Sequence, residues 1–321
     1  MPRLLKTLTL VIILSGCQRT PEEAVGVMSV SIAIPMQPSS ALAIIALEQG
    51  FFSEVALDVE VQHFISGKRA ISDGLAQGAT DYALAADTPF VDLCIQDSNY
   101  VAVASIYHSS NINRIVGRRD RGISDLEDLA GKHIGTQENS AVHFFLYSVL
   151  KHLQITDVRE SYYPAADLPA ALAAGEIDAF SMREPFISLA VKKLGENARV
   201  LSLPGIMTQN ELLITRRDTL DPEVTERLLS ALIKAEEFAE QNREQSYDIV
   251  NRVLNSDRQR IVSALSEVSL EVSLSQSLFA NWERRERWMR SSNGGQSKID
   301  FRQHIAKEPL NALSPFRVSV L

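Results

Sequence analysis

Apolar and polar positions along the chain fall into short alternating or wholly apolar runs separated by longer runs with helical spacing. Val30 to Ile34 reads as a strand, and Ser39-Ser40 then opens an apolar helix through Leu47 that stops at Gly50. Val59 to Val61 and Tyr100 to Tyr107 read as further strands, with a helix from about Lys68 to Gln77 between them. Farther on, Lys132 to Thr136, Val158 to Tyr163 and Arg199 to Leu203 predict strands. The segment ISDLEDLAGK predicts a short capped helix, and ENSAVHFFLYSVLKHL a longer one with Ser140 near its cap. Strands alternating with helices of about ten residues predict largely parallel sheets with crossover helices, the α/β class. From Asp221-Pro222 the pattern turns helical and charged, beginning with a helix to about Gln241.

One piece of this pattern is written twice. In LAQGATDYALAADTPF, Leu75 to Phe90, and LAAGEIDAFSMREPF, Leu172 to Phe186, an Ala-rich run stops at a glycine (Gly78, Gly175) and an aspartate follows three residues later (Asp81, Asp178). A short apolar stretch then reaches an acidic residue nine positions past the glycine (Asp87, Glu184), followed by Pro-Phe. Glycine suits the left-handed position that ends a helix, and a polar residue with proline suits a helix start. Each copy predicts helix, turn, strand and helix start, and two copies predict two lobes. RIVGRRD at Arg114 to Asp120 is mirrored by ELLITRRD at Glu211 to Asp218, and these two segments are read as the crossings between lobes. The division expected is 29–115 for the first part of lobe I, 116–213 for lobe II, and 214–321 for the completion of lobe I with C-terminal helices.

Length and charge narrow the function. A chain of 321 residues with 45% hydrophobic content can bury two cores. A net charge of −8 without a sustained basic face argues against nucleic-acid binding. Trp282 and Met289 share one face of the NWERRERWMR segment, which reads as an amphipathic helix with its arginines and glutamates in solvent. Arg3 and Lys6, the apolar run Leu8 to Leu14, and Leu14-Ser15-Gly16-Cys17 make a signal peptide over 1–16, too short in its apolar part to span a bilayer. LSGC resembles a bacterial lipobox, which implies lipid on Cys17 and a polar tether over 17–28. Cys94 then has no partner and is expected as a buried apolar side chain.

The candidate chemistry sits at the strand-to-helix joints, where ligands bind in open parallel sheets and helix starts favour anions. Gln37, Ser39, Ser66, Gly67, Asp87 and Thr88 would come from one lobe, and Ser140, Arg183 and Glu184 from the other, around a cleft between them. Each serine alone could simply cap a helix; their convergence is what suggests a ligand. Asp87 and Glu184 would face the same cleft, cap helices, hold a hinge contact or take an amine, and Arg183 could pair with either acid or with the ligand. HExxH, CxxC, GxSxG and GxxxxGK[ST] motifs are all missing, and the six histidines form no ligand spacing. Surface or capping roles suffice for them. No catalytic residue, metal site or cofactor is expected.

IAIPMQPSSALAIIALEQGFFSEVALDVEVQHFISG, GATDYALAADTPFV, ISDLEDLAGKHIGTQENSAVHFFLYSVLKHLQI, LAAGEIDAFSMREPF and KIDFRQHIAKEPL together resemble the periplasmic binding proteins that serve ABC importers of aliphatic sulfonates, in a group that also holds taurine, nitrate and thiamine-precursor binders. That resemblance covers most of the chain after about Ser29. It implies a type II binding-protein fold, two lobes joined by two hinge crossovers and closing on a small anionic or zwitterionic solute. It also implies an extracytoplasmic, membrane-anchored monomer that hands the solute to an inner-membrane ABC permease, with no enzyme activity. Gln37, Asp87-Thr88 and Ser140 occupy places that contribute to the pocket in sulfonate binders. Two departures, Glu138-Asn139-Ser140 in place of a serine cluster and Arg183 in place of an aromatic residue, argue for a ligand other than a plain alkanesulfonate. The alternatives are a binding protein or biosynthetic enzyme for a thiamine pyrimidine precursor, and a ligand-sensing accessory lipoprotein.

Overall fold

The computed structural model describes residues 26–293 and 299–320. The signal peptide, Cys17 and the tether as far as Val25 lie outside the described residues. In chain order the first lobe runs β1 (Met28–Pro35), α1 (Ala41–Glu48), α2 (Phe51–Glu54), β2 (Leu57–Phe64), α3 (Gly67–Arg69), β3 (Tyr82–Ala86), α4 (Asp87–Gln96) and β4 (Tyr100–Ser109). The second runs β5 (Arg114–Arg118), β6 (His133–Thr136), α5 (Ala141–His152), β7 (Arg159–Tyr162), α6 (Leu168–Ala174), β8 (Ala179–Met182), α7 (Phe186–Leu194) and β9 (Ala198–Leu201). The chain then returns through β10 (Gln209–Arg216) to α8 (Pro222–Gln241), α9 (Arg243–Leu254), α10 (Arg258–Ser266), α11 (Ser277–Asn293) and α12 (Glu308–Leu313).

Two five-stranded mixed sheets result, ordered β2-β1-β3-β10-β4 and β7-β6-β8-β5-β9. The written-twice segment supplies the central strand of each, β3 and β8. Gly78 and Gly175 adopt the expected left-handed conformation, with φ of 68° and 78°. In each sheet the central strand pairs in parallel with one neighbour and antiparallel with the other, β10 or β5. These two antiparallel strands are the ELLITRRD and RIVGRRD segments, so those segments are strands rather than crossings. The reason is their burial: inside a central position both faces of β10 and of the Ile115–Gly117 stretch are covered. The crossings lie just ahead of them, at 110–113 and 202–208, joined where the Gly205 N–H donates to the Ser110 carbonyl.

The aspartate of each copy fastens its strand to the next. Asp81 accepts from the backbone N–H of Ser31 at 2.8 Å, and Asp178 from that of His133 at 2.9 Å. Local deviations from the expected pattern have local causes. The predicted 68–77 helix is a short helix followed by a π turn at Ala70–Gly74 and a 3-10 turn, pressed so closely on β1 that a Cβ at Gly74 would lie 3.0 Å from that of Ala33. The ISDLEDLAGK segment is reduced to a 3-10 turn at Glu127–Leu129, because Asp128 accepts from Ser124 and Asp125 and Gly131 turns left-handed at φ 70°. Cys94 is buried in α4, as expected.

The largest difference concerns α11. Its Trp282 and Met289 face is buried and Arg284 and Arg287 are exposed, as expected, but Arg285, Glu286 and Trp288 are buried as well. Its amino half packs on α4, and Trp288 reaches across to α5, meeting His143, Phe144 and Tyr147 at ring-centroid distances of 5.0, 5.3 and 6.2 Å. A single apolar cluster therefore contains Leu84 and Val103 of the first sheet together with Ile134 and Phe144 of the second lobe. Among the described residues no helix is long and apolar enough to cross a membrane.

Candidate functional site

Register decides which residues can meet. β1, β2 and β3 run in parallel, so Gln37, Ser66 and Asp87 follow their carboxyl ends along one edge of the first sheet. β10 enters that same edge antiparallel, setting Glu211 opposite Ala86 on one side and Tyr107 on the other. In the second sheet β6 and β8 end at Thr136 and Met182, so Ser140 and Arg183 follow on its matching edge, with Arg114 opposite Met182. Both crossings connect these two edges, which brings the joints of one lobe against those of the other.

The predicted residues divide by what their side chains touch. Ser140 caps α5, accepting from the His143 N–H at 3.3 Å and donating to the Gln137 carbonyl at 2.6 Å. Ser66 caps α3 in the same manner, accepting from the Arg69 N–H. Gly67 is required by contact, since a Cβ there would sit 2.8 Å from the Cα of Ala85. Gln37 is half-buried and donates to the Ile65 carbonyl. Ser39 is buried and near enough to Glu211 for its hydroxyl to favour the carboxylate. Glu184 is exposed and folds back to its own helix, accepting from the N–H and hydroxyl of Ser188. Arg183 is half-buried and close enough to Tyr107 and Glu211 to act on both through its charge.

Asp87 does not face an open cleft. It is fully buried, accepting from the Asn210 N–H at 2.6 Å and the Trp282 indole N–H at 2.7 Å, with Arg285 at 3.3 Å. Thr88, beside it, accepts from Arg285 Nε. Both residues are consumed in fastening α11 to the sheet, because the helix expected in solvent lies over them. Arg285 also donates to the Thr208 carbonyl and Arg284 to that of Ile206, so α11 holds the second crossing as well. Burial pulls the Arg285 guanidinium below its ordinary value, and the charge of Asp87 opposes this.

Sequence reasoning missed Glu211 and Tyr107. Glu211 is 2% exposed at the entry of a central strand, with a carboxyl pushed up to about 7. Burial is the main cause; the charge of Arg183 and the hydroxyl of Ser39 oppose it, and Asp87 adds to it. Burial likewise raises the Tyr107 phenol. The available signal was Gln209-Asn210-Glu211, three polar residues opening a strand that continues through the apolar Leu212-Leu213-Ile214. Surface or capping roles are expected of the histidines; two are buried, His143 in a capping role at the start of α5. His143 accepts the Asn139 N–H on Nδ1, which places its proton on Nε2 toward Glu160 at 3.1 Å, and His304 bonds to the Tyr100 carbonyl. Among the described residues no three His, Cys, Asp or Glu side chains gather as a metal site.

The site thus offers a guanidinium and a helix start from one lobe, and a buried carboxyl, phenol and hydroxyl from the other. Residues 37–246 match the NMT1/THI5 like family. The chain belongs to that family. A Bacillus subtilis protein provisionally named aliphatic sulfonates-binding protein is 23% identical over 274 residues, covering 82% of this chain and 81% of its own length. The solved periplasmic aliphatic sulphonate binding protein SsuA of Escherichia coli superposes with a TM-score of 0.74 at 18% identity, covering 87% of this chain and 92% of that one. The desulfurization enzyme DSZB shares the fold with a TM-score of 0.66 at 16% identity, covering 90% of this chain and 99% of that one. Two α/β lobes of the periplasmic binding-protein fold are common ground, and chemistry must be argued from the site.

Proposed function

We propose that this chain is the extracytoplasmic solute-binding component of an ABC importer, enclosing a small sulfonate-like anion or zwitterion between its two lobes. One observation carries the reading: Arg183, following β8 of the second lobe, is near enough for its charge to act on Tyr107 and Glu211 of the first, at the junction both crossings enter. A solute touching both groups favours the closed arrangement over the open one, which is how ligand drives lobe closure. Arg183 and the amino end of α5, capped by Ser140, supply the positive side. Gln37, Ser39, Ser66 and Gly67 line the approach from the first lobe, and Glu184 stands at the rim; Asp87 and Thr88 support the site from behind. The two relatives named as sulfonate binders support a binding role over the enzymatic one of DSZB, and the lipid on Cys17 would hold the protein at the membrane beside its permease.

Thermal unfolding of the purified protein tests this against ethanesulfonate, 2-aminoethanesulfonate, nitrate, sulfate and a pyrimidine precursor. A ligand at about 100 times its Kd adds about 2.7 kcal/mol of stability. A shift with a sulfonate, accompanied by contraction in solution scattering, is the expected result. A response to the pyrimidine alone would replace the sulfonate reading with the precursor one.

A further inference from the structure

Two buried carboxyls stand side by side at the carboxyl edge of the first sheet, and they are served very differently. Asp87, next after Ala86 of β3, takes the Asn210 N–H, the Trp282 indole and the Arg285 guanidinium, with both side chains of that ion pair 0% exposed. Arg285 is held at that place by Thr88 and by the Asn281 and Thr208 carbonyls. Glu211, opposite Ala86 on β10, is 2% exposed, forms no ion pair among the described residues, and leaves Oε1 without a hydrogen-bond partner. A second buried negative charge beside Asp87 is costly, and a proton removes that cost. The cation whose charge does reach Glu211 is Arg183, which comes from the second lobe.

We propose that the solute anion is bound together with a proton on Glu211. An anion in the junction draws on Arg183, the cation that favours the ionised Glu211, and adds a negative charge of its own. The bound state therefore holds the proton more firmly than the free state. The proton comes from solvent, so anion and proton bring no net charge into the junction, and the neutral carboxyl gains an O–H donor. This assigns a regulation to the proposed solute site and rests on that reading. The groups facing Glu211 are Ser39 ahead of α1, Tyr107 on β4, Asp87 on α4 with Arg285 of α11 behind it, and Arg183 beyond β8. Burial keeps the Tyr107 phenol protonated across the neutral range. With its carboxyl at about 7 in the free protein, Glu211 already carries its proton at pH 6, and binding there moves none. At pH 8 it is ionised and must take a proton up, so affinity for an anion falls as pH rises through that interval.

Calorimetric titration of the full chain with ethanesulfonate, in two buffers of different ionisation enthalpy, counts the protons taken up. The expected result is close to one proton per anion at pH 8 and about a tenth of one at pH 6, with affinity about tenfold weaker at pH 8. Glu211→Gln, neutral at every pH and still carrying a donor, should lose both the uptake and the slope. Its affinity at pH 8 should match that of wild type at pH 6, whereas a merely structural role for Glu211 would weaken binding at both. Binding by the wild-type protein without proton uptake at pH 8 overturns the inference and leaves the solute-binding reading standing. Uptake that persists in Glu211→Gln overturns the assignment to Glu211. Binding at neither pH overturns the sulfonate reading and this inference with it. Independently of any solute, a Glu211 carboxyl carbon resonance that titrates below pH 5 in the free protein overturns the inference alone.

Discussion

The two lobes are wired alike at one end of their sheets and differently at the other. At the amino ends of the strands, Asp81 and Asp178 hold the same place, and beyond β10 and β5 the same arginine–aspartate fork recurs. Arg216 grips Asp218 through Nε and Nη2, and Arg118 grips Asp120 through the same two nitrogens. At the carboxyl ends the acidic residues part company. Asp87 is locked in the interior by Asn210, Trp282 and Arg285, while Glu184 is exposed and bonds Ser188 of its own helix. The cause is α11, which covers the joint of the first lobe and not that of the second. Matching sequence set the frame; a helix from elsewhere in the chain decided what each acid does.

The largest contrast should come from deleting the two acids. Removing one member of a buried ion pair strands the other, at about 3–5 kcal/mol. Asp87→Ala should therefore lose about that much in denaturant unfolding, and Glu184→Ala at most about 1 kcal/mol, the scale of a helix cap. Equal losses would mean that the two acids hold equivalent places after all. Trp288→Ala comes next, at about 3 kcal/mol for emptying an aromatic site. Because Trp288 packs on three rings of α5, leaving only the Arg285 guanidinium over Phe144 when it is removed, amide exchange should accelerate in α5 and remain slow in β3. Unchanged exchange in α5 would show that α11 serves the first lobe alone.

Much of the frame was legible because it is local. Gly78 and Gly175 end their runs, Ser140 caps α5, and Asp221 with Pro222 opens α8, all through contacts a few residues apart. The site was less legible because its decisive contacts are distant. Nothing near Asp87 announces Trp282, 195 positions away, and the arginines of NWERRERWMR read as solvent-facing until Asp87 and the crossing carbonyls are brought to them. Glu211 was missed for a related reason: a charged residue at a strand entry reads as an exposed end unless the strand is known to be central.

Glu211 also distinguishes the lobes by pH, with an effect of up to about 3 kcal/mol, since its carboxyl moves from 4.5 to about 7 on folding. The folded state holds the proton more tightly than the unfolded chain does. Its stabilising contribution is thus complete below about pH 4.5 and is lost as pH rises through about 7. Glu211→Gln should accordingly gain stability relative to wild type on going from pH 5 to pH 8 in the absence of solute. A constant difference between the two proteins would place the titration elsewhere.

The smallest test returns to the shared end of the lobes. Gly78→Ala and Gly175→Ala each force a Cβ into a left-handed backbone, at about 1 kcal/mol. Beyond that the positions differ. A Cβ at Gly78 meets nothing within 4 Å, whereas at Gly175 it lies 3.2 Å from Arg121 Nη2 and 3.5 Å from Arg118 Nη1. Arg118 is already committed there, donating through Nη1 to the Leu172 and Ala173 carbonyls at the end of α6 while it grips Asp120. Its mirror Arg216 instead lies over the Tyr100 ring. The arginine fork therefore carries an extra duty in the second lobe, and Gly175→Ala should cost a few tenths of a kcal/mol more than Gly78→Ala, on the scale of weakening a partly exposed hydrogen bond. The excess should vanish when both substitutions are measured in an Arg121→Ala background, since Arg121 Nη2 makes the tight contact and Arg118 Nη1 only an ordinary one; if it persists there, the crowding comes from the Arg118 fork.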